Sequence, residues 1–214
     1  MTTAYWFDLD GTLIGFDKSF ETMLEDCLGI EQPTAVHETF RRAMFHALEG
    51  FDDTPYVSAF DAIVEAHAIS VDPDATAAAF REHELSATKQ ATGASVILAA
   101  VGQLGPVGIL TNGDGTQQRA KIAKHGFDSL VDAVLISNEV SVRKPSVEIF
   151  DLARERLPAT HHVFVGDSYE EDIAGAQDAG FEAVHVRNDE GGPSISLDNL
   201  ASLGLFLEEP ADTH

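Results

Sequence analysis

The chain shows two hydrophobic patterns. Short apolar runs that predict strands occur at residues 4–9 and again after residue 93, and a block with helical spacing lies between them. Residues 4–9 form a largely apolar run with three aromatic side chains, which is typical of a buried parallel strand. Residues 16–88 instead place apolar side chains at helical spacing, as at Phe20, Met23, Leu24, Cys27 and Leu28. The helical segments are separated by prolines that predict helix starts, Pro33, Pro55 and Pro73.

From residue 93 onwards, short apolar runs alternate with helical stretches. The apolar runs predict strands at residues 107–110, 133–136, 162–165 and 183–186. The stretches between them predict helices around residues 94–103, 115–125, 146–156 and 169–179. This alternation is typical of an α/β fold with a doubly wound parallel sheet. Because the helical block interrupts it after the first strand, we expect a sheet core at residues 1–15 and 87–214, with an inserted α-helical cap at residues 16–86.

The composition is that of a globular protein with one sizeable core or a core and a small satellite domain. The chain has 214 residues, of which 44% are hydrophobic, and Cys27 is its single cysteine. No run approaches the ~20 apolar residues that a membrane helix needs, and residues 1–10 show no signal-peptide pattern. We therefore expect a soluble, cytoplasmic protein without a membrane partner, of unspecified oligomeric state.

The charge is strongly negative. Thirteen Lys and Arg residues stand against 36 Asp and Glu residues, which gives a formal net charge of -23. Nucleic acid is a poor partner for such a surface, since phosphate binding needs basic groups. The charge is spread along the chain, so we expect adaptation to a high-salt, halophilic cytoplasm in which counterions screen the repulsion.

The first motif that carries chemistry is Asp8-Leu9-Asp10-Gly11-Thr12-Leu13, at the end of the first predicted strand. Gly11 permits a sharp turn there. Two carboxylates at a buried strand end are costly unless a cation or a proton is shared between them. A helix cap or an ordinary turn would explain one of these acids but not both.

Three further motifs follow later in the chain. Thr111-Asn112-Gly113 offers a hydroxyl and backbone amides at a strand end, where an oxyanion can bind. Arg143-Lys144-Pro145 supplies a cation. In the fourth motif, residues 165–172, Ser168 and Glu171 form a capping-box pattern that places Asp167 and Asp172 at the same sheet edge. Four carboxylates at one edge indicate a hard cation such as Mg²⁺.

These four motifs, in this order and at these separations, resemble the signature of haloacid dehalogenase-like hydrolases, and the resemblance covers nearly the whole chain. It implies a Rossmann-like core with a helical cap, as in phosphoglycolate phosphatase-like members. It also implies Mg²⁺-dependent hydrolysis of a small phosphorylated metabolite through an aspartyl-phosphate. The Phe16-Asp17 pair departs from that branch and is similar to the nucleotidase branch.

The resemblance assigns a role to each motif residue. Asp8 is the expected nucleophile, and Asp10 the acid that protonates the leaving oxygen and then activates water. The expected phosphate-binding residues are Thr111, Asn112 and Lys144. The expected Mg²⁺ ligands are Asp8, the backbone carbonyl of Asp10, and Asp167, with Asp172 in the outer shell.

Other functions stay open on the sequence alone. A phosphomutase would use the same motifs and pass the phosphoryl group to a sugar. A 2-haloacid dehalogenase attacks carbon, needs no Mg²⁺ and, in this family, lacks the second acid that Asp10 supplies here. A non-catalytic phosphate-binding protein is a further alternative, because fold does not guarantee activity. The role of Lys18, which could reach the site from the cap, is left open.

Overall fold

The structure is a computed structural model that describes residues 2–29 and 33–186, and the backbone of residues 195–196. The strands within these ranges are β1 (Thr3–Phe7), β2 (Ile14–Phe16), β3 (Thr88–Gln90), β4 (Val107–Thr111), β5 (Ala133–Ile136), β6 (His161–Gly166), β7 (Glu182–His185) and β8 (Ile195–Ser196). The α-helices are α1 (Phe20–Leu28), α2 (Thr34–Glu49), α3 (Pro55–His67), α4 (Pro73–Ala87), α5 (Ala94–Val101), α6 (Gly115–Lys124), α7 (Ser137–Val140), α8 (Val147–Arg156) and α9 (Gly175–Asp178). A 3₁₀ turn covers Phe127–Ser129, and a π-helix at Tyr169–Ala174 leads directly into α9.

Six of the described strands form one parallel sheet in the order β5-β4-β1-β6-β7-β8. This confirms the predicted doubly wound α/β fold. The predicted strand and helix positions agree with the structure to within a few residues. The exceptions are β2, β3, α7, β8 and the 3₁₀ turn, which were not predicted, and residues 169–174, which form a π-helix at the start of the predicted α-helix.

Both faces of the sheet are covered because its strands are apolar on both sides. Tyr5 and Phe7 pack on one face with α5, whereas Ala4 and Trp6 pack on the other face with α8 and α9. Gly108 on the neighbouring strand β4 makes room for the Trp6 indole, since a Cβ there would lie 2.4 Å from the ring. The central strand β1 is thereby buried on both faces.

Helices α1 to α4 form a bundle with a hydrophobic core of its own. Phe40 lies at its centre, with its ring centroid 4.8 Å from that of Phe60 and 5.1 Å from that of Phe80. Pro55 and Pro73 are the first residues of α3 and α4, and Pro33 directly precedes α2, as predicted. The described residues of this bundle contain no strand.

The two ends of the predicted helical block are strands. Phe16 ends β2 and Thr88 begins β3, and the two residues are paired in a short antiparallel ladder. The expectation of helical structure over the whole of residues 16–88 is therefore wrong at both ends. The ladder forms because the chain leaves the sheet and returns to it at the same place, so each passage satisfies the backbone hydrogen bonds of the other. It joins the bundle to the sheet.

No helix among the described residues is both long enough and apolar enough to cross a bilayer.

Candidate active site

The order of the strands brings three of the four motifs to one edge of the sheet. Strand β1 lies between β4 and β6, and all three run parallel. Asp8 follows the last residue of β1, Thr111 is the last residue of β4, and Asp167 follows the last residue of β6. The site therefore lies at the carboxyl ends of the central strands, where open parallel sheets bind their ligands.

Lys144 lies between two of the predicted carboxylates. Its Nζ is 2.7 Å from Oδ1 of Asp8 and 2.6 Å from Oδ1 of Asp172. All three side chains are buried, with Lys144 and Asp172 each 1% exposed and Asp8 6% exposed. The lysine comes from the loop before α8, so the fold brings the cation to the acids from a distant part of the chain.

The charge balance of this cluster is unfavourable to an ionised Asp8. Burial raises the pKa of Asp8 well above its ordinary value, Lys144 lowers it, and the charges of Asp172 and Asp167 raise it further. Burial alone would lower the pKa of Lys144, but its two carboxylate partners raise it, so the lysine is charged. The cluster therefore contains one ammonium group, that of Lys144, for three carboxyl groups.

Asp167 completes an acidic triad with Asp8 and Asp172. One carboxylate oxygen from each lies within 4.8 Å of the others, an all-oxygen set of the kind that Mg²⁺ prefers. The Thr12 hydroxyl donates to Oδ1 of Asp167 over 3.2 Å. Gly11 has a φ of 93°, and a Cβ there would lie 2.3 Å from Oδ2 of Asp167. Only glycine allows the first motif to pass this close to the fourth.

Asp172 is oriented by the fourth motif itself. Its Oδ2 accepts a hydrogen bond from the backbone N–H of Ser168 over 3.0 Å, and Ser168 Oγ in turn accepts one from the backbone N–H of Glu171. The predicted capping by Ser168 is confirmed. The Glu171 half of the predicted capping box is not formed, because the Ser168 N–H donates to Asp172 and the Glu171 carboxylate accepts from Asn112 and Arg143 instead.

The side chain of Asn112 holds the backbone on either side of the Lys144 side chain. Its Oδ1 accepts from the Lys144 backbone N–H over 2.9 Å, and its Nδ2 donates to the Lys144 carbonyl over 3.1 Å. The Thr111 hydroxyl accepts a hydrogen bond from Gln118 Nε2 over 2.8 Å. Thr111 therefore lies at the predicted edge of the sheet, whereas the Asn112 side chain serves to place Lys144.

Asp10 has partners that the sequence analysis did not identify. Its carboxylate accepts hydrogen bonds from Gln118 Nε2 over 2.6 Å and from Lys121 Nζ over 2.9 Å, and both donors lie on α6. Lys121 also contacts Glu84 of α4 over 2.7 Å. Burial alone would lower the pKa of Lys121, but Asp10 and Glu84 raise it above its ordinary value. The sequence does contain a signal for these two partners. Gln118 and Lys121 are three residues apart on the predicted helix after the Thr-Asn-Gly motif, so they share one face of that helix.

Lys18, whose reach into the site was left open, contacts Asp26 of α1 over 2.7 Å, and both side chains are well exposed.

The comparisons with known proteins agree with this geometry. A family model described as haloacid dehalogenase-like hydrolase matches residues 2–180. The glyceraldehyde 3-phosphate phosphatase of Methanopyrus kandleri is 26% identical over an alignment of 233 positions, which covers 99% of each chain. The pyrimidine 5'-nucleotidase YjjG of Escherichia coli is 33% identical over 124 residues, which cover 54% of this chain and 55% of that one, so the match spans about half of each protein.

A solved structure shows the same fold. The HAD-hydrolase YfnB of Bacillus subtilis, in a crystal form with bound magnesium, superposes with a TM-score of 0.77 at 20% identity, over 97% of this chain and 99% of that one. Because the family model spans most of the 214 residues and its motifs meet at one edge of the sheet, the chain belongs to the haloacid dehalogenase-like hydrolases.

Proposed function

We propose that this protein is a phosphatase that hydrolyses a small phosphomonoester through an aspartyl-phosphate on Asp8, with Mg²⁺ as cofactor. The observation that carries the proposal is the buried cluster of Asp8, Lys144, Asp167 and Asp172 at the carboxyl ends of the central strands. Such a cluster supplies a nucleophile, a cation for phosphoryl oxygens and acidic metal ligands within one small volume.

In the first step, a carboxylate oxygen of Asp8 forms a bond to phosphorus as the ester P–O bond breaks. Asp10 donates its carboxyl proton to the leaving oxygen. In the second step, Asp10 takes a proton from water, the water oxygen bonds to phosphorus, and the bond between phosphorus and Asp8 breaks. Lys144 and Thr111 hold the phosphoryl oxygens in both steps.

The donor set fits the cofactor that the family resemblance implies. Three carboxylates around one ammonium group leave negative charge that a divalent cation would balance. Burial is the main cause of the raised pKa of Asp8, and the charges of Asp172 and Asp167 add to it. Asp8, the Asp10 carbonyl and Asp167 would hold the ion. Asp172, engaged with Lys144 and with the Ser168 N–H, would lie in its outer shell. When bound, the cation neutralises charge on the transferring phosphoryl group.

The bundle of α1 to α4 is the proposed cap, and it selects the leaving group. It meets the sheet part of the chain around α6, where Lys124 Nζ donates to the carbonyls of Leu85 and Ser86. A cavity of about 340 Å³ opens between the two parts; its lining includes Asp52, Asp53, Asp114, Arg119, Asn138 and Glu139.

Turnover of para-nitrophenyl phosphate by the purified protein, with and without Mg²⁺, tests the proposal. We expect turnover that requires Mg²⁺ and that Asp8→Asn removes, because an amide cannot act as the nucleophile. The natural substrate is sought in a panel that includes glyceraldehyde 3-phosphate and pyrimidine nucleotides, which the names of the two similar proteins suggest.

Product analysis separates the proposal from its alternatives. Release of inorganic phosphate from a sugar phosphate indicates a phosphatase, whereas an isomeric sugar phosphate indicates a mutase. Halide release from a 2-haloacid without Mg²⁺ would indicate a dehalogenase. Tight phosphate binding without turnover would indicate a non-catalytic protein.

A further inference from the structure

A buried lysine connects the proposed acid/base residue to the helical bundle. Lys121, on α6, is 3% exposed. Its Nζ contacts both oxygens of Asp10, at 2.9 and 3.2 Å, and Oε1 of Glu84 at 2.7 Å. Asp10 and α6 belong to the sheet part of the chain, whereas Glu84 lies on α4 of the bundle. One ammonium group is thus shared across the boundary between them.

The second carboxylate oxygen of Glu84 has partners in both the bundle and α6. Oε2 of Glu84 accepts a hydrogen bond from the Tyr56 hydroxyl over 2.6 Å and one from Gln117 Nε2 over 3.2 Å. Tyr56 lies on α3 and is buried, while Gln117 lies on α6 and also donates to the carbonyl of Arg81. Glu84 is therefore a fixed partner for Lys121 as long as the bundle rests against α6.

Helix α6 also determines the direction of the Asp10 carboxylate. Lys121 holds Oδ1, and Gln118 Nε2 donates to Oδ2 over 2.6 Å and to the Thr111 hydroxyl over 2.8 Å. Gln118 is 2% exposed and packed in place. Both carboxylate oxygens thus have donors that lie one helical turn apart on the same helix. A small movement of either donor would turn the carboxyl group.

We propose that Lys121 is the positioning residue of Asp10, and that Glu84 makes this positioning depend on contact between the bundle and α6. The proposal rests on the proposed function. A proton passes well from Asp10 to the leaving oxygen only within hydrogen-bond reach, so a misplaced carboxyl group slows the first step. The loss is larger for a basic leaving group, which needs the proton, than for a stable one, which leaves without it.

Two aryl esters of nearly the same shape measure this loss: phenyl phosphate, with the more basic leaving group, and para-nitrophenyl phosphate. The readout is the ratio of kcat/KM for the nitrophenyl ester to that for the phenyl ester. We expect Lys121→Met to raise the ratio about tenfold or more, towards the value for Asp10→Asn. Glu84→Gln should raise it less, and Lys121→Arg should return it towards that of the unchanged protein.

Lys124→Met is the matched control, because Lys124 lies one turn further along α6 and holds the end of α4 through backbone carbonyls. It removes a lysine contact between the same two helices and leaves Asp10, Lys121 and Glu84 paired, so we expect an unchanged ratio. An unchanged ratio in Lys121→Met, while Asp10→Asn raises it, would overturn the positioning role. Should Lys121→Met fail to fold, an unchanged ratio in Glu84→Gln decides against the dependence on the bundle. Absence of Asp8-dependent turnover in the unchanged protein would instead overturn the proposed function, and this inference with it.

Discussion

Replacing Lys144 with methionine tests the charge balance of the buried cluster. The substitution removes the ammonium group that lies 2.7 Å from Asp8 and 2.6 Å from Asp172, and it leaves two buried carboxylates without this partner. Removing one partner of a buried ion pair costs about 3–5 kcal/mol, because the remaining charge is uncompensated. In a chain of this size, each kcal/mol lowers Tm by roughly 2–4 °C. We therefore expect Lys144→Met to melt about 6–20 °C lower at neutral pH without Mg²⁺.

The pH dependence of this effect has a definite sign. Lys144 lowers the pKa of Asp8, so its removal raises that pKa beyond the already elevated value in the folded protein. A carboxyl group with a raised folded pKa favours folding below its unfolded pKa, about 3.9, and this contribution is lost as the pH rises through the folded pKa. The deficit of Lys144→Met relative to the unchanged protein should therefore shrink as the pH falls from neutral towards 4 and Asp8 takes up a proton.

Lys18→Met is the matched control for the melting experiment. Lys18 also has its Nζ 2.7 Å from a carboxylate, that of Asp26, but the two side chains are 47% and 38% exposed. Exposed pairs contribute little because water and salt screen them, so this variant should melt within a few degrees of the unchanged protein. Equal Tm values for the two variants, or a deficit of Lys144→Met that does not change with pH, would refute the assignment of a compensated buried charge cluster.

Three further predictions follow from the proposed chemistry and the charge. Asp8→Asn should abolish Mg²⁺-dependent turnover with an unchanged far-UV circular dichroism spectrum, and Asp10→Asn should lower turnover by ~10²–10⁴-fold; near-normal activity of Asp8→Asn contradicts the mechanism. Chelation should remove activity and Mg²⁺ should restore it, whereas full activity after exhaustive chelation excludes the cofactor. At a net charge of -23, with acids from bundle and sheet lining one cavity, Tm should rise as KCl goes from ~0.01 M to ~1 M, where the Debye length falls from ~30 Å to ~3 Å. A flat or falling Tm refutes the halophilic interpretation alone.

The periodicity of the sequence predicted the sheet and its helices because each strand is buried on both faces. An apolar run as short as residues 107–110 favours an internal strand over a helix, and the polar motifs then fall at the strand ends. The convergence of Asp8, Thr111 and Asp167 follows from parallel pairing alone. By contrast, β2 and β3 have three residues each, too few for a period to show.

The partners of each carboxylate could not be predicted from the sequence, because these contacts join side chains that are far apart in the chain. Asp10 and Lys121 are 111 residues apart, and Asp8 and Lys144 are 136 residues apart. Asn112 shows the same limit. Its motif predicted a phosphate-binding residue, which stays a prediction, and only the tertiary structure shows its side-chain amide on the backbone of Lys144. The direction of a side chain at a strand end depends on the elements that pack against that edge of the sheet.

The two acids of the first motif are two residues apart, yet each is paired with its own lysine. Asp8 shares Lys144 with Asp172, and all three residues lie in the sheet part of the chain. Asp10 shares Lys121 with Glu84, which lies in the bundle. A displacement of the bundle would therefore change the surroundings of Asp10 and leave the charge partners of Asp8 in place. On this proposal, the nucleophile Asp8 keeps its charge partners when the proposed cap is displaced, while Asp10 keeps the support of Glu84 only when that cap rests on α6. The proposal thus ties protonation of the leaving group to enclosure of the substrate, and it leaves the charge partners of the attacking carboxylate independent of both.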